Sequence, residues 1–367
     1  MKFETLLRKP AEWMRSTGPS HEIVSTSRVR LARNITGHPF PGWGKHQERL
    51  AVMGIIRPIV EQLPEMRDSF SEEMTSLNAI QKQVLVERHL VSREHAAKGP
   101  GCATVMNRQQ TVSIMINEED HLRMQALRPG LQLRAAFEQL SGIDSVLEQK
   151  LDFAFDENYG YLTSCPTNLG TGMRASAMLH LPGLVLSEQI GQTIQGANRI
   201  GLAVRGLYGE GTEALANLFQ ISNQATLGRS EEAIIDHLET VIQDIMESER
   251  NARFRLVEEK PAMIMDQVGR AFAILRYAHT LPSKEALNLL SLTRLGCDLG
   301  VFAPEDAEIV NLLLTEIQPA HLQVEAKRRL SAEERDSLRA EIIRRNLKNL
   351  PEPDFNGIVP LRDSEHE

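Results

Sequence analysis

Cysteine is scarce in this 367-residue chain: Cys102, Cys165 and Cys297 stand far apart, and no CxxC pair occurs. A disulfide framework and a cysteine zinc site are therefore not expected, and a reducing cytoplasm suits the chain best. No apolar run approaches the roughly 18 residues that a membrane helix needs. The opening MKFETLLRKPAEWM mixes charge with apolar residues and lacks the unbroken apolar stretch of a secretory signal. An excess of positive charge is missing as well, and the net charge of −8 argues against a general affinity for nucleic acid. Three nucleotide signatures are also absent: there is no GxxxxGK[ST] loop, no GxGxxG opening a helix, and no HRD or DFG pair. Repeats, low-complexity tracts and long linkers are lacking too.

What is present is ordinary globular material, 41% hydrophobic and 25% charged, in a chain long enough for two domains. Up to about residue 257 strand and helix signals mix. QKQVLVERHLV, TVSIMINEED, LDFAFDENYGYLTSC and NRIGLAVRGLYG read as strands, whereas LQLRAAFEQLSGIDSVLEQKL and EEAIIDHLETVIQDIMESER have helical periodicity. From Pro261 the chain reads as helices over 261–280, 284–299, 303–317 and 331–349, separated by Pro, Gly and cap signals. The expected class is α+β for residues 1–257, followed by a small all-α bundle over 258–350. The tail 351–367, with two early prolines and terminal charges, is expected to be flexible.

The chemistry gathers where arginine stands beside glycine and small polar residues. In Thr26-Ser27-Arg28-Val29-Arg30 the two arginines are two apart, which in a strand sends both guanidiniums to one face and suits a polyphosphate. A solvated edge strand explains the same pattern. In Glu118-Glu119-Asp120-His121-Leu122-Arg123 a strand-like run ends in three carboxylates. Glu119 is the candidate for base work, and acids in a helix first turn are the alternative. The lone His121 reads as structural. In Cys165-Pro166-Thr167-Asn168-Leu169-Gly170-Thr171-Gly172-Met173-Arg174 the proline, asparagine and glycines shape a loop around one cysteine. Either a thiolate is held there against a cationic substrate, or an inert cysteine sits beside a turn.

These three segments, in this order, resemble the motifs of the phosphagen kinases, the creatine and arginine kinase family, over roughly residues 20–255. The resemblance implies a catalytic domain with an antiparallel sheet flanked by helices. It implies that Arg28, Arg30, Arg123, Arg174 and Arg205 surround the ATP phosphates, with Mg²⁺ bridging those phosphates and no metal ligand from the protein. The nucleotide pocket would further include Thr26, Ser27, Val29, His89, Ala175, Ser176, Ala177 and Met178, and the run Gly206, Leu207, Tyr208, Gly209 and Glu210. Met178 stands where creatine kinases usually carry histidine. A guanidinium, with a pKa above roughly 12, is a poor nucleophile until carboxylates orient it and take its proton. Glu119 and Glu210 are the expected pair, and Cys165 the expected third contact, with Thr167 placed to donate a hydrogen bond to it.

Creatine and arginine kinases carry a helical domain ahead of the SRVR segment; here SRVR falls within the first thirty residues and helices follow the catalytic part instead. That layout resembles the bacterial protein-arginine-kinase branch of the family and suits arginine held in a polypeptide. Arg335-Asp336-Ser337-Leu338-Arg339-Ala340 fits that branch's RDxxRA motif, which is associated with an allosteric phosphoarginine site. Arg335 and Arg339 are four apart and would face the same way, with Asp336 free to pair with the ligand's guanidinium; a solvated amphipathic helix is the bland alternative. The resemblance implies protein substrates with exposed arginines, marking for Clp-type proteolysis in stress, a zinc-finger activator, a stress-gene repressor as partner, and a homodimer in the cytoplasm. Direct binding of nucleic acid or membrane is not expected. A kinase of a free guanidino metabolite and a noncatalytic phosphoarginine-reading adaptor are the competing readings.

Overall fold

The computed structural model describes residues 1–206, 214–356 and 358. Its strands are β1 (Val24–Arg33), β2 (Phe70–Glu73), β3 (Ala103–Met106), β4 (Val112–Ile116), β5 (Leu122–Pro129), β6 (Phe155–Asp156), β7 (Gly160–Tyr161), β8 (Met173–His180), β9 (Leu202–Gly206) and β10 (Leu218–Asn223). Eight of them form one sheet in the order β2-β3-β4-β5-β1-β8-β10-β9, while β6 and β7 make a separate hairpin. The pairings from β2 through β5 to β1 are antiparallel, as the resemblance led one to expect.

Two compact units interleave along the chain. The first comprises Met1–Met14, Thr26–Ala177 and Ser222–Glu239, the second Arg15–Ser25, Met178–Ile221 and Thr240–Glu367. In the first, β1 shows why the sheet forms: Ser27, Val29 and Leu31 are buried and alternate with half-buried Thr26, Arg28 and Arg30. Strands β3 and β4 are buried throughout, as strands covered on both faces are. The helix Leu133–Glu148 buries Leu133, Ala136, Leu140, Ile143 and Leu147 on one stripe, as its periodicity predicted.

One predicted strand departs from the sequence reading. QKQVLVERHLV is not a strand; its first part belongs to the helix Ala79–Glu87, which opens on a reciprocal capping box between Asn78 and Gln81. The valines that suggest a strand are there because Val84, Leu85 and Val86 are buried, so packing overrides their β preference.

In the second unit the helices Pro261–Tyr277, Ser283–Asp298, Asp306–Glu316 and Ala332–Leu347 appear where predicted, and a short one at Pro319–Glu325 was not anticipated. Proline opens Pro261–Tyr277 and Pro319–Glu325, where its missing N–H costs nothing. Ser331 and Glu334 form the capping box of the last helix. Their shared core includes Val268, Phe272, Leu290, Phe302, Val310 and Ile343, each contributing about 1.5–3 kcal/mol by leaving water. At Gly296 a Cβ would lie 2.7 Å from Val268 and 2.9 Å from Phe302, so only glycine permits this approach. The start of the tail is packed: Phe355 and Ile358 lie against this core and the Asp354 N–H donates to Val301 O. Among the described residues, no helix is long and apolar enough to cross a membrane.

Candidate active site

A cationic floor is set by strand register. In an antiparallel pair, residues directly opposite share a face; Arg30 lies opposite Gln125 and Ala32 opposite Arg123, so Arg123 emerges on the same face as Arg28 and Arg30. Arg174, half-buried on β8, donates to Ser222 Oγ at 3.3 Å. Burial, and then the charges of Arg123 and Arg174, push Arg28 down to about 10. Arg30 is pushed further down by burial and by Arg28, Arg123 and Arg174, and Glu118 offsets only part of this. Its Nε is buried with no hydrogen-bond partner. A guanidinium does not give up its proton in a protein, so the direction of these shifts marks a place where positive charge is disfavoured and a bound anion is welcome.

The carboxylates sit at the tip of the β4–β5 hairpin, in the loop Asn117–His121, rather than in a helix first turn. Asn117 takes φ 59° and donates its N–H to His121 O, closing the loop. The three acids divide the work. Glu118, 1% exposed, receives Arg123 Nη1 at 2.8 Å on both oxygens, Ser92 Oγ at 2.6 Å and the Glu119 N–H at 2.8 Å. Burial alone would raise its pKa, but the Arg123 charge and these donors outweigh it and hold it below the usual range. Asp120 accepts from Asn34 Nδ2 and from the Ser164 N–H, each at 2.7 Å. Glu119 alone is exposed, and partial desolvation, with Asp120, Glu118 and Glu94 nearby, raises its pKa against the pull of Arg123. A carboxylate made more basic in this way suits proton abstraction.

Cys165 is brought to this hairpin by its own loop. Besides the Ser164 N–H to Asp120, Ser164 Oγ donates to Glu119 O at 2.8 Å, which ties the residue before Cys165 to the hairpin tip. Cys165 Sγ lies 3.0 Å from Thr167 Oγ1, the contact expected from their spacing. Glycine is required beyond it: Gly170 and Gly172 have φ of +103° and +64°, and a Cβ would strike Thr226 O at 2.5 Å and Ala32 O at 2.6 Å respectively. Thr226 Oγ1 donates to Thr167 O and Leu169 O at 2.9 and 2.6 Å, fastening the strap from the other side.

The remaining residues fall as follows. Ser27 is buried on the opposite face of β1, donating to Gly130 O at 2.8 Å and accepting from the Gln132 N–H, and Val29 shares that buried face. His89, φ 55°, packs edge-on against Trp13 and is pushed down to about 4 by burial, Arg28 and Arg93, so it stands neutral beside the cationic floor. Ala175, Ser176 and Ala177 are buried along β8, and Met178 packs against the core of the second unit. Arg205 is exposed on β9 and Gly206 half-buried, both in the second unit. Leu207, Tyr208, Gly209 and Glu210 lie outside the described residues. In the last helix Arg339 is buried and donates to Ile317 O at 3.1 Å, Leu281 O at 2.7 Å and Asp336 Oδ1 at 2.5 Å. Arg335 is half-buried and donates to Leu330 O at 3.1 Å, and Ala340 is fully buried. His121 accepts the Ile35 N–H on Nδ1 and stands 3.0 Å from Pro39 O through Nε2, a structural residue as anticipated.

Sequence reasoning missed the residues that hold these pieces in place. Arg33, 2% exposed, makes a forked ion pair with Asp144, with Nη2–Oδ2 at 2.6 Å; it also donates to Thr171 O and stacks 3.4 Å from the Tyr161 ring centroid. Asn34 accepts the His121 N–H and donates to both Asp120 and Leu162 O. An asparagine directly after an SRVRLAR strand is the only sequence signal for either.

The family described as ATP:guanido phosphotransferase, C-terminal catalytic domain, matches residues 52–252, and the Protein-arginine kinase McsB C-terminal domain matches residues 261–358. A protein-arginine kinase from Halothermothrix orenii is 43% identical over 95% of this chain and 99% of its own. One from Brevibacillus brevis is 44% identical over 95% and 98%. Among solved structures, the duplicated taurocyamine kinase of Schistosoma mansoni with bound transition-state-analogue components superposes with a TM-score of 0.58 at 26% identity, over 68% of this chain and 36% of that one. A lombricine kinase superposes at 0.56 and 24% identity, over 68% and 70%, a likeness of fold.

Proposed function

The chain belongs to the ATP:guanido phosphotransferase family, and we propose that it is a protein-arginine kinase, moving the γ-phosphoryl of ATP onto arginine side chains of proteins. One observation carries the reading: a cationic floor whose Arg30 keeps a buried donor unmatched lies on the same sheet as a hairpin presenting one exposed, basic carboxylate, Glu119. The floor calls for a polyphosphate and the carboxylate for a cationic acceptor.

In the reaction the guanidinium of the acceptor gives a proton to Glu119, its nitrogen forms the new P–N bond, and the bond to the β-phosphate oxygen breaks to leave ADP. Arg28, Arg30, Arg123 and Arg174 stabilise charge on the equatorial oxygens, and Arg205 completes the set. Arg123 is held in aim by Glu118, and Glu118 by Ser92. Mg²⁺ carried in with ATP would supply further neutralisation of phosphate charge beside these arginines. Cys165, with Thr167 beside it, contacts the acceptor guanidinium from the strap, and Glu210 serves as the second carboxylate. The fit to ATP rests on the unmatched Arg30 donor and the mutual repulsion of the arginines.

The finer reading rests on the resemblance of the motifs alone. Modified proteins are passed to a Clp-type protease under stress in the cytoplasm, with a zinc-finger activator and a stress-gene repressor as partners and a homodimer as the working form. Arg335, Asp336 and Arg339 then take part in an allosteric phosphoarginine site whose ligand competes for the bonds Arg339 now makes to Asp336 and the backbone.

The test is γ-labelled ATP with Mg²⁺ and an arginine-bearing protein such as casein, beside free arginine. Acid-labile label is expected on the protein, and Glu119→Gln should reduce it by about 10²–10⁴-fold. Label on free arginine alone would place the enzyme with the metabolic guanidino kinases, and no label anywhere would leave an adaptor.

A further inference from the structure

We propose that the open groove beside the Cys165 strap holds the polypeptide that flanks the acceptor arginine, taking an apolar or aromatic side chain of an extended segment. This rests on the protein-arginine-kinase reading and narrows its substrate. The groove, of about 450 Å³, is lined among others by Phe155, Tyr159, Gly170, Thr226, Leu227 and Arg229, all of the first unit. Phe155, Tyr159 and Leu227 are 57%, 55% and 50% exposed. Three large apolar side chains left to water around one concavity mark a contact surface rather than scattered exposure.

The groove is built, not incidental. Asp156 Oδ1 accepts from the Asn158 and Tyr159 N–H groups at 2.8 and 3.1 Å, fixing the turn that presents Tyr159. Phe155 packs edge-on against Tyr161 at 5.2 Å, and Tyr161 lies under the Arg33 guanidinium that is locked to Asp144. On the floor, a Cβ at Gly160 would lie 2.6 Å from Gly170 O and one at Gly170 would lie 2.5 Å from Thr226 O, so hairpin, strap and the Thr226 turn are in backbone contact.

Reach decides the occupant. Gly170 is five residues after Cys165, and an extended chain spans at most about 3.6 Å per residue, so the groove floor lies within about 18 Å of the acceptor contact. The Pro166–Asn168 turn shortens this further. A polypeptide with its arginine at Cys165 therefore reaches the groove with a side chain within about five positions of that arginine. A free guanidino metabolite has nothing to place there. Arg229, exposed, and Glu231, half-buried, line the groove with opposite charge, so neither sign of side chain is favoured over the other and the apolar walls set the preference.

The experiment uses the full chain, Mg²⁺-ATP and two peptides of equal length with one arginine each. One carries Phe and Leu within five positions of the arginine, the other Gly and Ser in their place. The wild type should show a KM for the apolar peptide about tenfold lower, the effect of burying roughly one such side chain. Tyr159→Ser and Leu227→Ser should each raise that KM toward the value for the polar peptide, with kcat, the KM for ATP and all constants for the polar peptide unchanged. Equal KM for the two peptides in the wild type, or an equal loss on both in the variants, overturns the groove and leaves the kinase reading intact. Label on free arginine with neither peptide modified overturns both.

Discussion

Arg28, half-buried, and Arg253, fully buried, stand one in each compact unit, and desolvation lowers the pKa of both, yet their neighbours give opposite results. Arg253 donates to Glu249 at 2.6 Å and Asp298 at 3.1 Å, and Asp298 also receives Arg294 at 3.0 Å. Burial works against its charge, but Glu249 and Asp298 outweigh it and hold its pKa above the ordinary value. Around Arg28 the same burial is reinforced by Arg123 and Arg174, and the pKa falls. A cluster that supplies its own counter-charge is finished architecture; one whose cations depress one another's pKa, even with Glu118 on Arg123, suits an added anion and is the waiting one. The number of arginines says little, since both clusters are rich in them.

The largest effect that would break the comparison is on the finished side. Arg253→Ala leaves Glu249 fully buried, with only the Gly183 and Leu184 N–H groups as donors, and Asp298 with Arg294 alone. Loss of one partner of a buried pair costs about 3–5 kcal/mol, so the denaturant midpoint should drop sharply while folded enzyme keeps its affinity for ATP. An unchanged midpoint would show that the network is not structural. On the waiting side the sign reverses. Arg30→Ala removes a repelled cation, so the midpoint without ligand should hold or rise, whereas kcat should fall about 10²–10³-fold, the cost of deleting one preorganised donor to the transition state. Saturating Mg²⁺-ATP, which stabilises the wild type by about 2.7 kcal/mol at a hundred times Kd, should stabilise this variant much less. A midpoint that falls in step with activity would make Arg30 architecture too.

Much of the waiting cluster was legible in the chain. Period-two spacing put Arg28 and Arg30 on one face and the two-residue spacing put Thr167 against Cys165, and the structure bears out both placements; the acids of NEEDHLR marked Glu119 as the candidate base, and it is the exposed one of the three. What escaped was whatever depends on partners far along the chain. Arg33 belongs to the same strand as Arg28 and looked no different, but Asp144, which neutralises it, is 111 residues away. Ser92 reaches Glu118 across 26 residues, and Thr226 reaches Thr167 across 59. The finished cluster was invisible for the same reason: Glu249 and Arg253 stand four apart in a helix-patterned segment, and that spacing alone does not tell that the fold buries both. The helix Ala79–Glu87 was misread because buried valines imitate a strand, although its Asn-x-x-Gln start was in plain view.

The smallest effect sharpens the comparison at the carboxylates, where like charge again goes uncompensated. Burial, Asp120, Glu118 and Glu94 all raise the pKa of Glu119. A base works only when ionised, so kcat/KM should be full above the pKa of Glu119 and lost as pH falls through it, and the raised pKa puts that acid limb above the ordinary carboxylate range near about 4.3. Asp120 and Glu118 cannot be removed to test the cause, because Asn34, Ser164, Ser92 and Arg123 are hydrogen-bonded to them. Glu94 is exposed, and its influence on Glu119 ranks last among those that raise it. Glu94→Gln should therefore leave the plateau rate unchanged and move the acid limb slightly down, as expected for the loss of one screened surface charge. The shift should shrink as salt is raised. A limb that stays in place at low salt would mean that the titrating group is not Glu119.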